Sequence, residues 1–317
     1  SPADPLPQDL HTMQHITDDM IDAAVSPQDA QQVLLDAFRS FGHGQAAMQE
    51  RIRTEAQGVK LSTLGAVIPE QKVAGAKVYT TIQGQFTFVI VLFSTEDGRA
   101  LASFDAGAIT RLRTAACSLI AARHLARPGA RQMALFGAGV QGRAHAIQMA
   151  QAFDLEEIRV CDPYALPGMA ADLQRQCGTP VRLCDAAETV AGADIVVTAS
   201  RSTTPLFSGD ELKPGCFVAA IGSSLPHTRE LDDRALERAA RIAVEWLPQT
   251  LREAGDLVLA RPGLVSPEKL VELGALVTGA SPGRQSDDEI TLYKSVGVGL
   301  EDVALAGLAW QRVQAGA

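Results

Sequence analysis

Gln132-Met-Ala-Leu-Phe136-Gly137-Ala-Gly139-Val140-Gln141-Gly142 is the stretch on which the fold turns. An apolar run, Gln132–Phe136, leads straight into a Gly-x-Gly-x-x-Gly turn, and a helical pattern over residues 140–153 follows. Each glycine has its own steric reason. Gly137 permits the tight turn, Gly139 lets the backbone approach a pyrophosphate, and Gly142 lets the helix pack closely on the sheet. The first helical N–H groups, at Val140 and Gln141, then face the phosphates with the positive end of the helix dipole. Asp162 ends the next apolar run, Glu157–Cys161, 20 residues after Gly142. A glycine-rich turn alone is commonplace. Strand, turn, helix, strand and terminal acid in that order predict a dinucleotide-binding βαβ unit.

Outward from this unit the same rhythm continues. Residues 169–176 read as a helix, Ile195–Thr198 and 216–221 as buried strands, and 241–244 as a sixth strand. Near-continuous apolar strands alternating with helices predict an α/β domain with a doubly wound parallel sheet. Small polar residues after two of the strands, Thr198 and Ser200 in one loop and Ile221 opening another, fit cofactor-lining turns. Asp162 is placed to accept hydrogen bonds from the adenosine ribose. That favours NAD(H), since a 2′-phosphate would meet a carboxylate and no arginine follows directly, with NADP(H) as the alternative.

Upstream the texture differs. Residues 1 to about 15 read as a poorly ordered lead-in, and residues 18–41 as a helix with Val33, Leu34, Ala37, Phe38 and Phe41 on one face. Residues 48–104 are strand-rich, with Glu96-Asp97-Gly98-Arg99 as a hairpin turn before Ala100–Phe104. A helix over 110–126 ends at Pro128-Gly129. Residues 289–313 read as one long helix returning to this first, α+β region. The expected division is 1–112 plus 297–317 for the α+β domain, and 113–296 for the Rossmann domain.

Composition narrows the function. The 317 residues are 46% hydrophobic and 21% charged, with a formal charge of −9. That balance argues against nucleic acid or an anionic membrane surface as partner, while a local basic pocket would still draw in a small anionic substrate. Five cysteines, with no Cys-x-x-Cys, fit no zinc ligand set and read as reduced thiols. No metal site is expected. Neither a signal-peptide pattern nor a transmembrane-length apolar run is present, so a cytoplasmic location is expected.

Several stretches together resemble the ornithine cyclodeaminase/mu-crystallin family: Thr110-Arg-Leu-Arg113-Thr114, Gly137-Ala-Gly-Val-Gln141, Arg229-Glu-Leu-Asp232, Glu253-Ala-Gly-Asp256 and Thr291-Leu-Tyr-Lys-Ser295-Val-Gly297. The resemblance implies a homodimer with a cleft between a Rossmann domain and an α+β domain, the latter, residues 1–112 plus 297–317, carrying substrate binding and dimerisation. It implies that Thr114 and Ser295 line the cofactor site. It implies that Arg113 and a second arginine, Arg53 or the neighbouring Arg51, hold a substrate carboxylate, and that Lys77 stands near the reacting centre. The chemistry agrees, since arginine pairs bidentately with carboxylates and a buried lysine exchanges protons. Without the resemblance, each would read as an ordinary solvated charge.

One departure separates activities within the family. The cyclodeaminases carry an aspartate that serves ammonia loss and ring closure. Aligning Pro226 puts Ser224 there, and a serine is no carboxylate base at neutral pH. The loop resembles that of the imine-reducing members. The expected function is therefore NAD(P)H-dependent reduction of a small cyclic imino acid, Δ1-pyrroline-2-carboxylate or Δ1-piperideine-2-carboxylate, to the L-amino acid. Ser224 is expected to contact nicotinamide or substrate. The rivals are an ornithine cyclodeaminase, an alanine-type amino-acid dehydrogenase and a non-catalytic binding protein.

Overall fold

The computed structural model describes residues 13–316. Of the expected lead-in, residues 1–12 lie outside the described residues. The rest is not lead-in, because Gln14 already begins a strand.

The first layer comprises β1 (Gln14–Ile16), α1 (Asp18–Ala24), α2 (Pro27–Gly42), β2 (Ala47–Met48), β3 (Ile52–Ala56), β4 (Val59–Ile68), β5 (Val73–Ile82), β6 (Gln85–Ser94) and β7 (Ala100–Phe104). The helix read over 18–41 is thus two helices. Ser26 caps the second through a reciprocal capping box with Asp29, and Pro27 occupies its first turn. The strands form one sheet in the order β1-β7-β6-β5-β4-β2, with β3 also paired to β4. Two tight hairpins set its register. Gln57-Gly58 and Gln83-Gly84 both adopt positive φ at successive positions, the geometry that matches strand twist. Lys77 consequently lies opposite Leu64 and Ile90, on the face that the helices cover.

Next comes α3 (Gly107–Leu125), which is almost entirely buried. The second layer then runs β8 (Gln132–Phe136), α4 (Val140–Ala152), β9 (Glu157–Cys161), α5 (Met169–Cys177), β10 (Val181–Leu183), α6 (Ala186–Val190), β11 (Ile195–Thr198) and β12 (Phe217–Ala220). It continues through α7 (Asp233–Arg238), β13 (Ala239–Val244), α8 (Leu247–Glu253), α9 (Gly255–Val258), β14 (Leu270–Glu272), α10 (Leu273–Thr278), β15 (Ile290–Lys294) and α11 (Gly299–Ala315). Its eight strands are ordered β10-β9-β8-β11-β12-β15-β13-β14. Every pairing is parallel. The expected doubly wound α/β sheet is present, and the order reverses between β8 and β11, where such sheets bind nucleotides.

The tail corrects the sequence reading. Residues 290–294 are not helix but a fully buried strand set between β12 and β13, and Gly297, at φ 76°, turns the chain into α11. Only α11 packs back on the first sheet. Residues 112 and 113, where the sequence divides the chain, lie in mid-helix of α3, which packs on both α2 and α4. Among the described residues no helix is long and apolar enough to cross a membrane.

Candidate active site

The glycine turn has the geometry its spacing requires. Gly137 sits at φ 89°. A Cβ on Gly142 would lie 1.9 Å from the Gly137 carbonyl oxygen, so only glycine lets α4 start so close to β8. A Cβ on Gly139 would meet no atom within 4 Å, so this face of the turn is open to a ligand. No side chain caps α4, and its first intrahelical bond is Arg143 N–H to Gly139 C=O at 3.0 Å. The N–H groups of Val140, Gln141 and Gly142 are thus the free donors of a helix N-terminus. The Gln141 side chain turns away, donating to the Thr110 carbonyl at 3.1 Å.

Beside the turn lies a cavity of ≈ 630 Å³, lined by Gly137, Gly139, Asp162, Ser200 and Arg201 among others. The Asp162 carboxylate accepts the Ala138 and Tyr164 N–H groups, each at 2.8 Å, so it braces the turn while bordering the cavity. Its remaining lone pairs are available to ribose hydroxyls. Arg201 borders the same cavity, a cation that the sequence reading did not single out. These residues fit the adenosine and pyrophosphate of a dinucleotide.

Three expected cofactor residues do not present their side chains. Thr198 is fully buried and donates to Glu230 at 2.8 Å. Ser295 is buried and donates to Glu245 at 2.6 Å. Thr114 is buried and donates to the Thr110 carbonyl at 2.7 Å. Their hydroxyls are thus engaged inside the protein rather than offered to a cofactor. Ile221 closes its loop through N–H to the Thr198 carbonyl at 2.9 Å. Glu230, which also accepts the Ser200 and Gly222 N–H groups, ties the two polar loops together. Burial pushes its carboxyl up.

The second cavity, ≈ 220 Å³, brings Lys77, Arg53, Arg51, Arg113 and Ser224 together with an aromatic wall of Tyr79, Phe86 and Phe88. β5 supplies Lys77, α3 supplies Arg113, and Ser224 comes from the loop after β12. Lys77 Nζ donates to Thr110 Oγ1 at 2.7 Å and to Asp302 Oδ1 at 3.2 Å, and lies 4.8 Å from the Phe88 ring centre. Burial pushes its ammonium down to about 8, against the pull of Asp302. Arg113 donates to Glu301 at 2.7 Å. Its guanidinium stays charged, because Glu301 and Asp302 outweigh its burial.

The two adjacent arginines differ in what they have left to give. Arg51 donates to Glu253 and to the Val296 and Gly297 carbonyls, with a side chain 7% exposed. Arg53 is 26% exposed and reaches only Glu253. Arg53 therefore keeps free donors toward the cavity. Glu253 borders an adjoining cavity of ≈ 150 Å³. Asp256 is buried, accepting the Glu230 and Leu231 N–H groups and pairing with Lys294 at 2.9 Å.

The chain and its fold have known relatives. The model of the ornithine cyclodeaminase/mu-crystallin family matches residues 11–317. The chain belongs to that family. A Delta(1)-pyrroline-2-carboxylate reductase of Bacillus cereus is 34% identical over 266 residues, 81% of this chain and 78% of the relative. A solved structure described as a probable ornithine cyclodeaminase from Bordetella pertussis Tohama I is 61% identical with a TM-score of 0.94, covering 96% of this chain and 98% of that one. The iminosuccinate reductase of Paracoccus denitrificans in complex with NAD+ is 26% identical with a TM-score of 0.88, covering 96% and 97%. Membership in the ornithine cyclodeaminase/mu-crystallin family thus agrees with the resemblance carried by Arg113, Gly137 and Asp256. The acids Glu301 and Asp302, which pair with Arg113 and Lys77, and Glu245, which holds the turn at Ser295–Gly297, escaped the sequence reading. A Glu-Asp pair in an otherwise apolar helix is the signal that would have found the first two.

Proposed function

We propose that the protein reduces a small cyclic imino acid, Δ1-pyrroline-2-carboxylate or Δ1-piperideine-2-carboxylate, to the L-amino acid. It is an NAD(P)-dependent oxidoreductase acting on C=N and CH–NH bonds. The observation that carries the substrate reading is the convergence of Lys77, Arg53 and Arg113 on one ≈ 220 Å³ cavity walled by Tyr79, Phe86 and Phe88. Cations at one end suit a carboxylate, and the aromatic wall suits a small apolar ring.

Arg53 and Arg113 hold the carboxylate and so fix the carbon beside it, where orientation governs rate. When bound, the reduced nicotinamide supplies a hydride. Lys77, poised near neutrality by burial, donates a proton to the imine nitrogen, so that C=N becomes CH–NH. Ser224 borders the cavity as a neutral contact. The dinucleotide is held by the N–H groups at the start of α4 and by Asp162, whose carboxylate favours NAD(H). We also propose a homodimer.

A second reading, ornithine cyclodeaminase, is favoured by the description of the Bordetella pertussis structure. It needs a carboxylate where this chain has Ser224.

Absorbance at the nicotinamide band, followed with NADH or NADPH and each imine, tests the proposal. Oxidation is expected, faster with NADH. Lys77→Ala should abolish it, and Arg113→Ala should lower kcat/KM about 100-fold or more, the cost of removing a buried charged partner. Arg53→Ala should act mainly on KM. Ammonia release from ornithine without imine-dependent oxidation would replace this reading with the lyase.

A further inference from the structure

We propose that Asp302, together with Thr110, is the positioning pair that aims the Lys77 ammonium into the substrate cavity. This rests on the reading of Lys77 as the proton source. An ammonium has three N–H donors in fixed tetrahedral directions. Thr110 Oγ1, on α3, takes one at 2.7 Å, and Asp302 Oδ1, on α11, takes another at 3.2 Å. The third is left for the cavity, on the side of the Phe88 ring. Two acceptors from two different helices thus settle where the remaining proton goes.

The same Asp302 oxygen lies 3.4 Å from Arg113 Nε, so one carboxylate spans the proton donor and the carboxylate clamp. Its neighbour Glu301 grips Arg113 at the other end, at 2.7 Å. Asp302 and Glu301 have no exposed side-chain surface, and Asp302 Oδ2 and Glu301 Oε1 have no hydrogen-bond partner among the described residues. A fully buried carboxylate with an unmet oxygen is costly as packing material. For Asp302 the justification is the charge it places against Lys77 and Arg113, whereas burial pushes the Glu301 carboxyl up to about 8.

The charged groups facing Lys77 are Asp302 from α11, Arg113 from α3 and Arg51 from the segment before β3. Asp302 alone among these favours the ammonium. The two arginines and burial disfavour it. Removing the Asp302 charge therefore lowers the ammonium's affinity for its proton. Since the protonated form donates, the alkaline limb of the kcat/KM profile must move to lower pH.

The test compares Asp302→Asn, Thr110→Val and Glu301→Gln with the wild-type protein, using the imine that it reduces. NADH fluorescence titration and thermal melting report folding and cofactor binding independently of turnover. Asp302→Asn should lose at least tenfold in kcat and shift the alkaline limb down by a pH unit or more, with NADH affinity retained. Thr110→Val should lose kcat with the limb in place, because the aim is lost while the charge remains. Glu301→Gln, equally buried on the same helix, should raise KM and leave the limb in place. Equal losses in all three with unmoved limbs would assign α11 a packing role and overturn the proposal. Wild-type kcat and an unmoved limb in Asp302→Asn would overturn it as well. If Asp302→Asn does not fold, an undiminished kcat in Thr110→Val overturns it. An active Lys77→Ala would instead remove the reading on which the proposal rests, whatever Asp302→Asn does.

Discussion

His145 shows how a single side chain couples this fold to pH. It has no exposed surface. Nδ1 lies 2.7 Å from the Gln141 carbonyl and Nε2 2.8 Å from Ser118 Oγ. Burial, reinforced by Arg113, pushes its imidazolium from 6.5 down to about 4. Between those values the unfolded chain binds the proton and the native protein does not. The stability contributed by the neutral ring is full above pH 6.5 and is lost as pH falls toward 4. At pH 5 the loss amounts to about 2 kcal/mol. His145→Gln should remove it. Urea midpoints at pH 7.5 and pH 5 should fall further for the wild-type protein than for the variant, and equal falls would show that the ring titrates normally. Because the ring links α4 to α3, the dinucleotide turn and the helix bearing Arg113 share this dependence.

At the scale of elements, α11 is the piece that the sequence half-revealed. Its return to the first sheet was read from a nucleotide domain already complete at six strands, but the helical pattern that marked it runs on through residues 290–294, which are strand. Ile290-Thr-Leu-Tyr-Lys is buried at every position, and a short apolar run buried on both faces has no period to separate strand from helix. The glycine turn, by contrast, was legible residue by residue, because the sterics at Gly137 and Gly142 permit nothing else. Lys77 and Arg113 were reached only through family resemblance. What brings them together is the β5 register and the crossing of α3 and α11, and no local pattern encodes either. The seat of α11 on the sheet is close. A Cβ on Gly299 would lie 2.4 Å from the Gly65 carbonyl oxygen, so α11 rests on the backbone of β4. Gly299→Ala should cost about 1–3 kcal/mol by overpacking. It should also displace Glu301 and Asp302, which follow within one turn. Chemical denaturation and imine reduction should therefore fall together. Full activity in a destabilised variant would show that the helix yields without moving its acids.

For the whole molecule, the first sheet presents a problem that one chain does not solve. Its inner face is covered by α11, as an amphipathic antiparallel sheet requires of one face. Its outer face is also apolar. Leu61, Val67, Val89 and Phe93 share that face by register and are 45%, 44%, 36% and 40% exposed. Beside them runs a groove of ≈ 440 Å³ lined by Met48, Val67, Ala76 and Phe93, with no charged residue among its lining. A contiguous apolar face of this kind on a net-acidic chain marks an association surface. The proposed homodimer would use this face, since self-association through one patch forms a closed two-fold dimer. Light scattering should give twice the 33.5 kDa chain mass. Phe93→Asp, which puts a charge at the centre of the face, should yield monomers at micromolar concentration. Lys77 and the dinucleotide turn lie on other surfaces, so NADH binding should survive in the monomer. A wild-type monomer, or a Phe93→Asp dimer, would leave the outer face to a different partner.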